Sequence, residues 1–183
     1  MTTRSAVCFT AGGSELSAAE YVSRLRALVH GKDPVAVQTE TPAALARLIA
    51  AVPQEQLYLQ PAPGKWSCAA IVAHLADSEI ALSWRYRQIA EKEDAALSGY
   101  DQNLWYRLGD YDSSDLQQSL AQFRLLREAN LRMFGRLTPD DWLRCGIHAE
   151  RGRLTMKDLV TQAAGHDLSH LQQVERAIAA LSK

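Results

Sequence analysis

Residues 67 to 93, SCAAIVAHLADSEIALSWRYRQIAEKE, run without a glycine or a proline. Their apolar residues recur at three- and four-residue steps rather than alternating. A stretch of that length is a helix, and it needs partners of similar length to cover its apolar face. The sequence supplies them. SSDLQQSLAQFRLLREANLRMFGRL, from Ser113, carries Leu116, Leu120, Phe123, Leu126 and Met133-Phe134 at helical spacing. The last segment, opened by Thr155 with Asp158 three residues on, runs to Leu181. Leu16, Ala19, Val22, Leu25 and Leu28 mark an earlier helix, which Gly31 and Pro34 end.

The remaining punctuation follows from capping chemistry. Thr41-Pro42 reads as an N-cap followed by proline at the first helical position, opening AALARLIAAV, with Pro53 closing it. LQPAPGKW is a loop, and Ser67 caps the long helix after it. Thr138-Pro139-Asp140-Asp141 has the form of a capping box and starts one short turn through Trp142. RCGIHAERGR is a loop or a small hairpin. With strand alternation nearly absent, the expected fold class is all-α: a four-helix bundle with long connections and short extra helices. Residues 1–13, with Gly12-Gly13 and no period, form an N-terminal tail, and residues 14–183 one domain.

Composition excludes several roles. Twenty Lys and Arg against 21 Asp and Glu leave a formal charge of −1, so no basic surplus points to nucleic acid. No apolar run reaches the roughly 18 residues of a membrane helix, and the first residues make a poor signal peptide. The cytoplasm is the expected location. Cys8, Cys68 and Cys145 are far apart and odd in number, with no CxxC pair, so they read as passive thiols rather than a disulfide or zinc framework. Serine-triad order and a glycine-rich phosphate loop are also missing.

The histidines carry the chemistry. One face of the last helix reads Leu159, Ala163, His166, His170, Val174, Ala177, Leu181. Two imidazoles one turn apart therefore point into the core and can converge on one point. The long central helix has its own inward stripe: Ile71, His74 with Leu75, Ser78, Leu82, Arg85 with Tyr86, and Ile89. His74, His166 and His170 are thus candidate metal ligands; satisfied polar core residues are the duller reading. His30 sits at a helix end, suited to the dipole there. His148 falls in a loop, expected solvated or approaching from the bundle mouth.

With these residues in hand, the chain resembles the DinB-like family. The matching stretches are PAPGKWSCAAIVAHLADSEI, WRYRQI, GIHAERGRLTMKDLV and GHDLSHLQQ, in family order over about residues 40 to 180. The resemblance implies a four-helix bundle with three metal-binding histidines, here His74, His166 and His170. It implies a divalent metal ion, with Zn or Ni favoured, and a small-molecule substrate. The chemistry implied is that of a hydrolase or a low-molecular-weight-thiol transferase. A homodimer is implied as well.

Three imidazoles leave coordination positions open, as catalytic sites do and closed structural zinc sites do not. Asp77, three residues after His74, is a candidate base, fourth ligand or orienting acceptor; pairing with an arginine is the alternative. Glu79 and Asp167 point off the histidine faces and read as ion-pair partners for Arg85, Arg87 or Arg127. Trp66, Trp84, Trp105 and Trp142 read as core or loop anchors. GYDQNLWYRLGDY shapes a pocket mouth or a dimer contact. The first reading is a metal-dependent enzyme. A non-catalytic metal-binding or sensing module and a plain helical interaction protein are the alternatives.

Overall fold

In the computed structural model of the chain, residues 17–181 are described, together with the backbone of Cys8–Phe9 and Glu15–Leu16. Most of the expected 1–13 tail lies outside the described residues. β1 (Cys8–Phe9), inside that stretch, pairs antiparallel with β2 (Glu15–Leu16), just after it. The helices are α1 (Ala18–Val29), α2 (Pro34–Ala50), α3 (Cys68–Glu91), α4 (Gln102–Leu108), α5 (Leu116–Phe134), α6 (Pro139–Leu143) and α7 (Met156–Leu181). A 3₁₀ turn, Gln54–Tyr58, links α2 to the loop before α3.

Helices α2, α7, α3 and α5 form the four-helix bundle, each packed on the next in that order, and α1 lies against α7. The expected all-α bundle is therefore the observed fold. It carries one addition, a three-stranded sheet. β3 (Ala95–Leu97) pairs in parallel with β4 (Cys145–His148), which continues into β5 (Gly152–Thr155) as a hairpin. The hairpin was one of two readings of RCGIHAERGR; β3, only three residues long, has no room for a period.

Local capping matches the sequence at most helix starts. The Ser67 hydroxyl accepts from the Ala70 amide at 3.1 Å, and Thr155 from the Asp158 amide at 2.9 Å. The Thr138–Asp141 capping box is formed in both directions. The exception is Thr41-Pro42. Asp33 caps α2 and Pro34 opens it, so Pro42 lies in the helix interior. The Thr41 hydroxyl donates to the Val37 carbonyl at 2.8 Å instead of capping. Pro42 has no N–H for the carbonyl four residues back, that of Gln38. Arg127 fills the vacancy, donating to the Gln38 oxygen at 2.9 Å. A proline that resembles a helix start is tolerated here because a buried guanidinium replaces the lost hydrogen bond.

The core is divided. One apolar cluster includes Leu45, Ile71, Leu75, Phe123, Val174 and Ala177. A second includes Leu82, Tyr86, Ile89, Phe134, Leu159 and Ala163. Both draw on α3 and α7, early residues of one with late residues of the other, so these helices run antiparallel. Between the clusters each bundle helix contributes buried or half-buried polar residues: Gln38 and Thr41, His74 and Glu79, Arg127 and Asn130, His166 and Asp167. A polar band crosses the waist of the bundle. Beside it, α1 approaches α7 so closely that a Cβ on Gly165 would stand 2.3 Å from the Leu25 carbonyl oxygen. Only glycine permits that contact.

Candidate metal centre

His74 enters the polar band from α3; His166 and His170 enter it from α7. Their Nε2 atoms face one another: His74 to His166 at 3.1 Å, and His166 to His170 at 3.1 Å. Among the described residues this is the group of metal-ligating side chains whose ligand atoms all lie within 4.8 Å of one another. His74 is buried and the other two are half-buried, so the group opens to one side.

The protonation of the rings can be worked out. Gln173 Oε1 lies 2.8 Å from His170 Nδ1, and an amide oxygen only accepts, so Nδ1 carries the proton. The His170 Nε2 then presents a lone pair. A single hydrogen or a single lone pair on His166 Nε2 cannot serve both of its neighbours, so at least one of the two short nitrogen contacts is not a hydrogen bond. Burial lowers all three imidazole pKa values, His170 to about 4. For His74 the charge of His170 adds to burial, and for His166 the charges of His170 and His74 do. Protonation therefore does not relieve the crowding at neutral pH. One cation shared by the three nitrogens would. With zinc-to-nitrogen distances of about 2.0–2.1 Å, two imidazoles on one ion stand roughly 2.9–3.4 Å apart for angles between right and tetrahedral. The donor set, and the two 3.1 Å spacings that His166 makes, fit a divalent ion.

Around the triad the chain provides two hydroxyls and an aromatic wall. The Ser78 Oγ is 3.3 Å from His74 Nε2 and 2.9 Å from the Tyr100 hydroxyl. The Trp66 ring lies against His74, centroids 5.1 Å apart, and stacks on Tyr106. The segment GYDQNLWYRLGDY supplies Tyr100, Trp105, Tyr106 and Tyr111, and it packs as this wall. A cleft of about 230 Å³ opens beside Trp66 and Gln173, with Lys65 and Arg176 on its rim.

Several sequence expectations find their positions here. Asp77 is not a member of the clustered ligand group, and its observed partner is not an arginine. It accepts a hydrogen bond from the Tyr111 hydroxyl at 2.6 Å. Burial and that carboxylate together hold the Tyr111 phenol above its ordinary range. Glu79 and Asp167 are ion-pair partners, as expected, and both meet Arg127, at 2.8 and 2.6 Å. His148 is a correction. It is 3% exposed on β4, not solvated, because strand pairing with β3 and β5 turns it inward. Burial lowers its pKa to about 4, with the charges of Arg151 and Arg85 adding to the effect. Tyr100, Tyr111 and Gln173 were not read from the sequence as site residues. Gln173 had a signal, since three residues after His170 is hydrogen-bonding range on a helix; the tyrosines lie in the aromatic-rich segment that the sequence marks as a pocket mouth or a dimer contact.

Comparison with known proteins agrees with this architecture. The model of the DinB superfamily matches residues 39–174. "Putative metal-dependent hydrolase YfiT" of Bacillus subtilis (strain 168) is 26% identical over 78% of this chain and 82% of its own length. "Putative metal-dependent hydrolase OB0782" of Oceanobacillus iheyensis is 25% identical over 74% of this chain and 78% of its own. The solved structure of the Bacillus subtilis YfiT superposes with a TM-score of 0.72 at 22% identity, covering 93% of this chain and 94% of that one. It is described as "a probable metal-dependent hydrolase with an unusual four-helix bundle topology".

Proposed function

The chain belongs to the DinB superfamily, and from that premise we propose that it is a metal-dependent enzyme acting on a small molecule at an open three-histidine centre. The observation that carries this reading is the convergence of three imidazoles from two helices, with His166 Nε2 standing 3.1 Å from the Nε2 of both His74 and His170. His74, His166 and His170 hold the ion, zinc or nickel. When bound, such an ion supplies Lewis acidity and favours the deprotonated form of a water or thiol that reaches it.

The chain's own residues do the rest. Gln173 keeps the His170 proton on Nδ1 and so its lone pair inward. Trp66 covers His74 and limits the approach of water from that side. The Ser78 and Tyr100 hydroxyls, in hydrogen-bond contact with each other beside His74 Nε2, are placed to pass a proton or to donate to a substrate oxygen. Asp77 serves by anchoring Tyr111, and through it the aromatic wall. The reaction is hydrolysis, or transfer of a low-molecular-weight thiol to an electrophile, in a cytoplasmic homodimer.

The test begins with metal analysis of protein purified without a histidine tag, which should give one ion per chain. His74→Ala and His166→Ala should abolish it. Ester, amide and thiol–electrophile substrates are then screened with and without chelator. Turnover that disappears in His170→Ala supports the enzyme; stoichiometric metal without turnover favours a binding module, and absence of metal overturns both. Sedimentation would test the dimer.

A further inference from the structure

Among the described residues two arginines are buried, and they are treated differently. Arg127 is 1% exposed and all five of its N–H groups are used: on Glu79, on Asp167 and on the Gln38 carbonyl. Arg85 is 6% exposed, yet both of its hydrogen bonds, from Nε at 3.1 Å and Nη2 at 2.6 Å, end on the one carbonyl of Ser98. Among the described residues it forms no ion pair. A guanidinium withdrawn from water without a carboxylate is costly.

The largest charge in its surroundings is a second arginine. Ser98 follows Leu97, which is paired across the sheet with His148. Arg151 stands three residues beyond His148, in the turn of the β4–β5 hairpin. Its Nη1 reaches Gln162 Oε1 at 3.4 Å, one turn before His166 on α7, and its guanidinium lies 5.9 Å from the Tyr21 ring centre. After burial, Arg151 is the largest influence lowering the pKa of both Arg85 and His148, and it also lowers that of His166. One nearby carboxylate, Glu150, offsets part of this charge and raises the Arg85 pKa, but it is exposed and makes no ion pair with either arginine among the described residues. His148 Nδ1 accepts from the Glu150 amide at 3.2 Å, so its neutral ring carries the hydrogen on Nε2 as a third donor. The Tyr100 ring links this group to the triad: Arg85 lies 5.8 Å from its centre, and its hydroxyl touches Ser78 beside His74.

We propose that Arg85 and Arg151, with His148, form an oxyanion-binding subsite at the sheet side of the three-histidine centre, so that the substrate carries a carboxylate or phosphate group. Guanidinium pairs recognise such groups through parallel charge-assisted hydrogen bonds. That this anion belongs to a substrate rests on the enzymatic reading above; that the subsite binds an oxyanion does not.

The experiment titrates inorganic phosphate and, separately, succinate into the metal-free full chain, followed by calorimetry and by the arginine Nε–H resonances. Metal-free protein keeps the probes from binding an ion at the histidines. Saturable binding is expected, weakened at least tenfold in Arg85→Gln and in Arg151→Gln and unchanged in Arg47→Gln, an exposed arginine on α2. The tighter probe assigns the group. Arg151→Gln, at a half-buried turn position, keeps the test valid if Arg85→Gln does not fold. No saturable binding of either probe, or equal affinity in Arg151→Gln and the parent chain, overturns the proposal. Oxyanion binding in a protein that proves to take up no metal would overturn the enzymatic reading alone.

Discussion

The polar band at the waist of the bundle holds two clusters built from the same helices and finished in opposite ways. Around Arg127 every strong donor meets an acceptor. Glu79 comes from α3, Asp167 from α7 and the Gln38 carbonyl from α2, and Asn130 adds a donor to Glu79 at 2.7 Å. Around the histidines, at least one close pair of nitrogens makes no hydrogen bond. The sequence neighbours His166 and Asp167 fall on different sides of this divide. A buried polar group that the protein satisfies completely is a device of architecture. One that it leaves short, at the same depth and on the same helices, is a candidate for binding.

That contrast can be broken at either cluster. The largest effect is expected from Arg127→Met, which strands two buried carboxylates and should cost about 3–5 kcal/mol in denaturant unfolding. Adding Glu79→Leu and Asp167→Leu should return most of it; if the triple variant is as unstable as the single one, the cluster does more than balance its own charges. Next comes His170→Ala. Metal affinity should fall by more than the roughly 10–100-fold that the loss of an outer hydrogen-bond partner costs. The metal-free variant should melt within a few degrees of the parent, and a large loss of metal-free stability would place the triad on the architectural side. Gln173→Leu frees the His170 ring and should weaken the metal by about 10–100-fold, read by competition with a chromogenic chelator.

The smallest effect concerns His148. Its ordinary pKa of 6.5 is lowered to about 4 in the fold, so below 6.5 the unfolded chain binds a proton that the native one refuses. Stability should therefore fall as pH drops from 6.5 to about 4 and level off below that. Melting temperatures of metal-free protein should show a shallower decline in His148→Asn. An identical profile would mean that the ring is not shielded from protons.

The meeting of the three histidines was legible because a helical stripe is a local property: His74 among Ile71, Leu75 and Leu82, and His166 and His170 among Ala163 and Val174, each declare an inward face. The long helices and most caps were legible for the same reason. Thr41-Pro42 misled because the pattern at a helix start is also satisfied by a proline inside a helix, when a distant side chain takes over the carbonyl it abandons. That side chain, Arg127, lies far along the chain from Gln38. Which arginine meets Glu79 and Asp167, and which one meets no acid at all, is decided by packing between helices, and no spacing within one helix records it. His148 was misplaced because a strand of four residues announces its inward face too weakly.

Gly165 ties the centre to a part of the chain that the family match does not reach. The match begins at residue 39, whereas the backbone occupying the space beside Gly165 is that of Leu25. A fragment trimmed to the shared boundaries would retain all three histidines and lose the brace behind them. The helix turn leading into His166 would then face solvent on the side where α1 now rests. For this chain the unit that braces its imidazoles extends beyond the stretch that the family model matches.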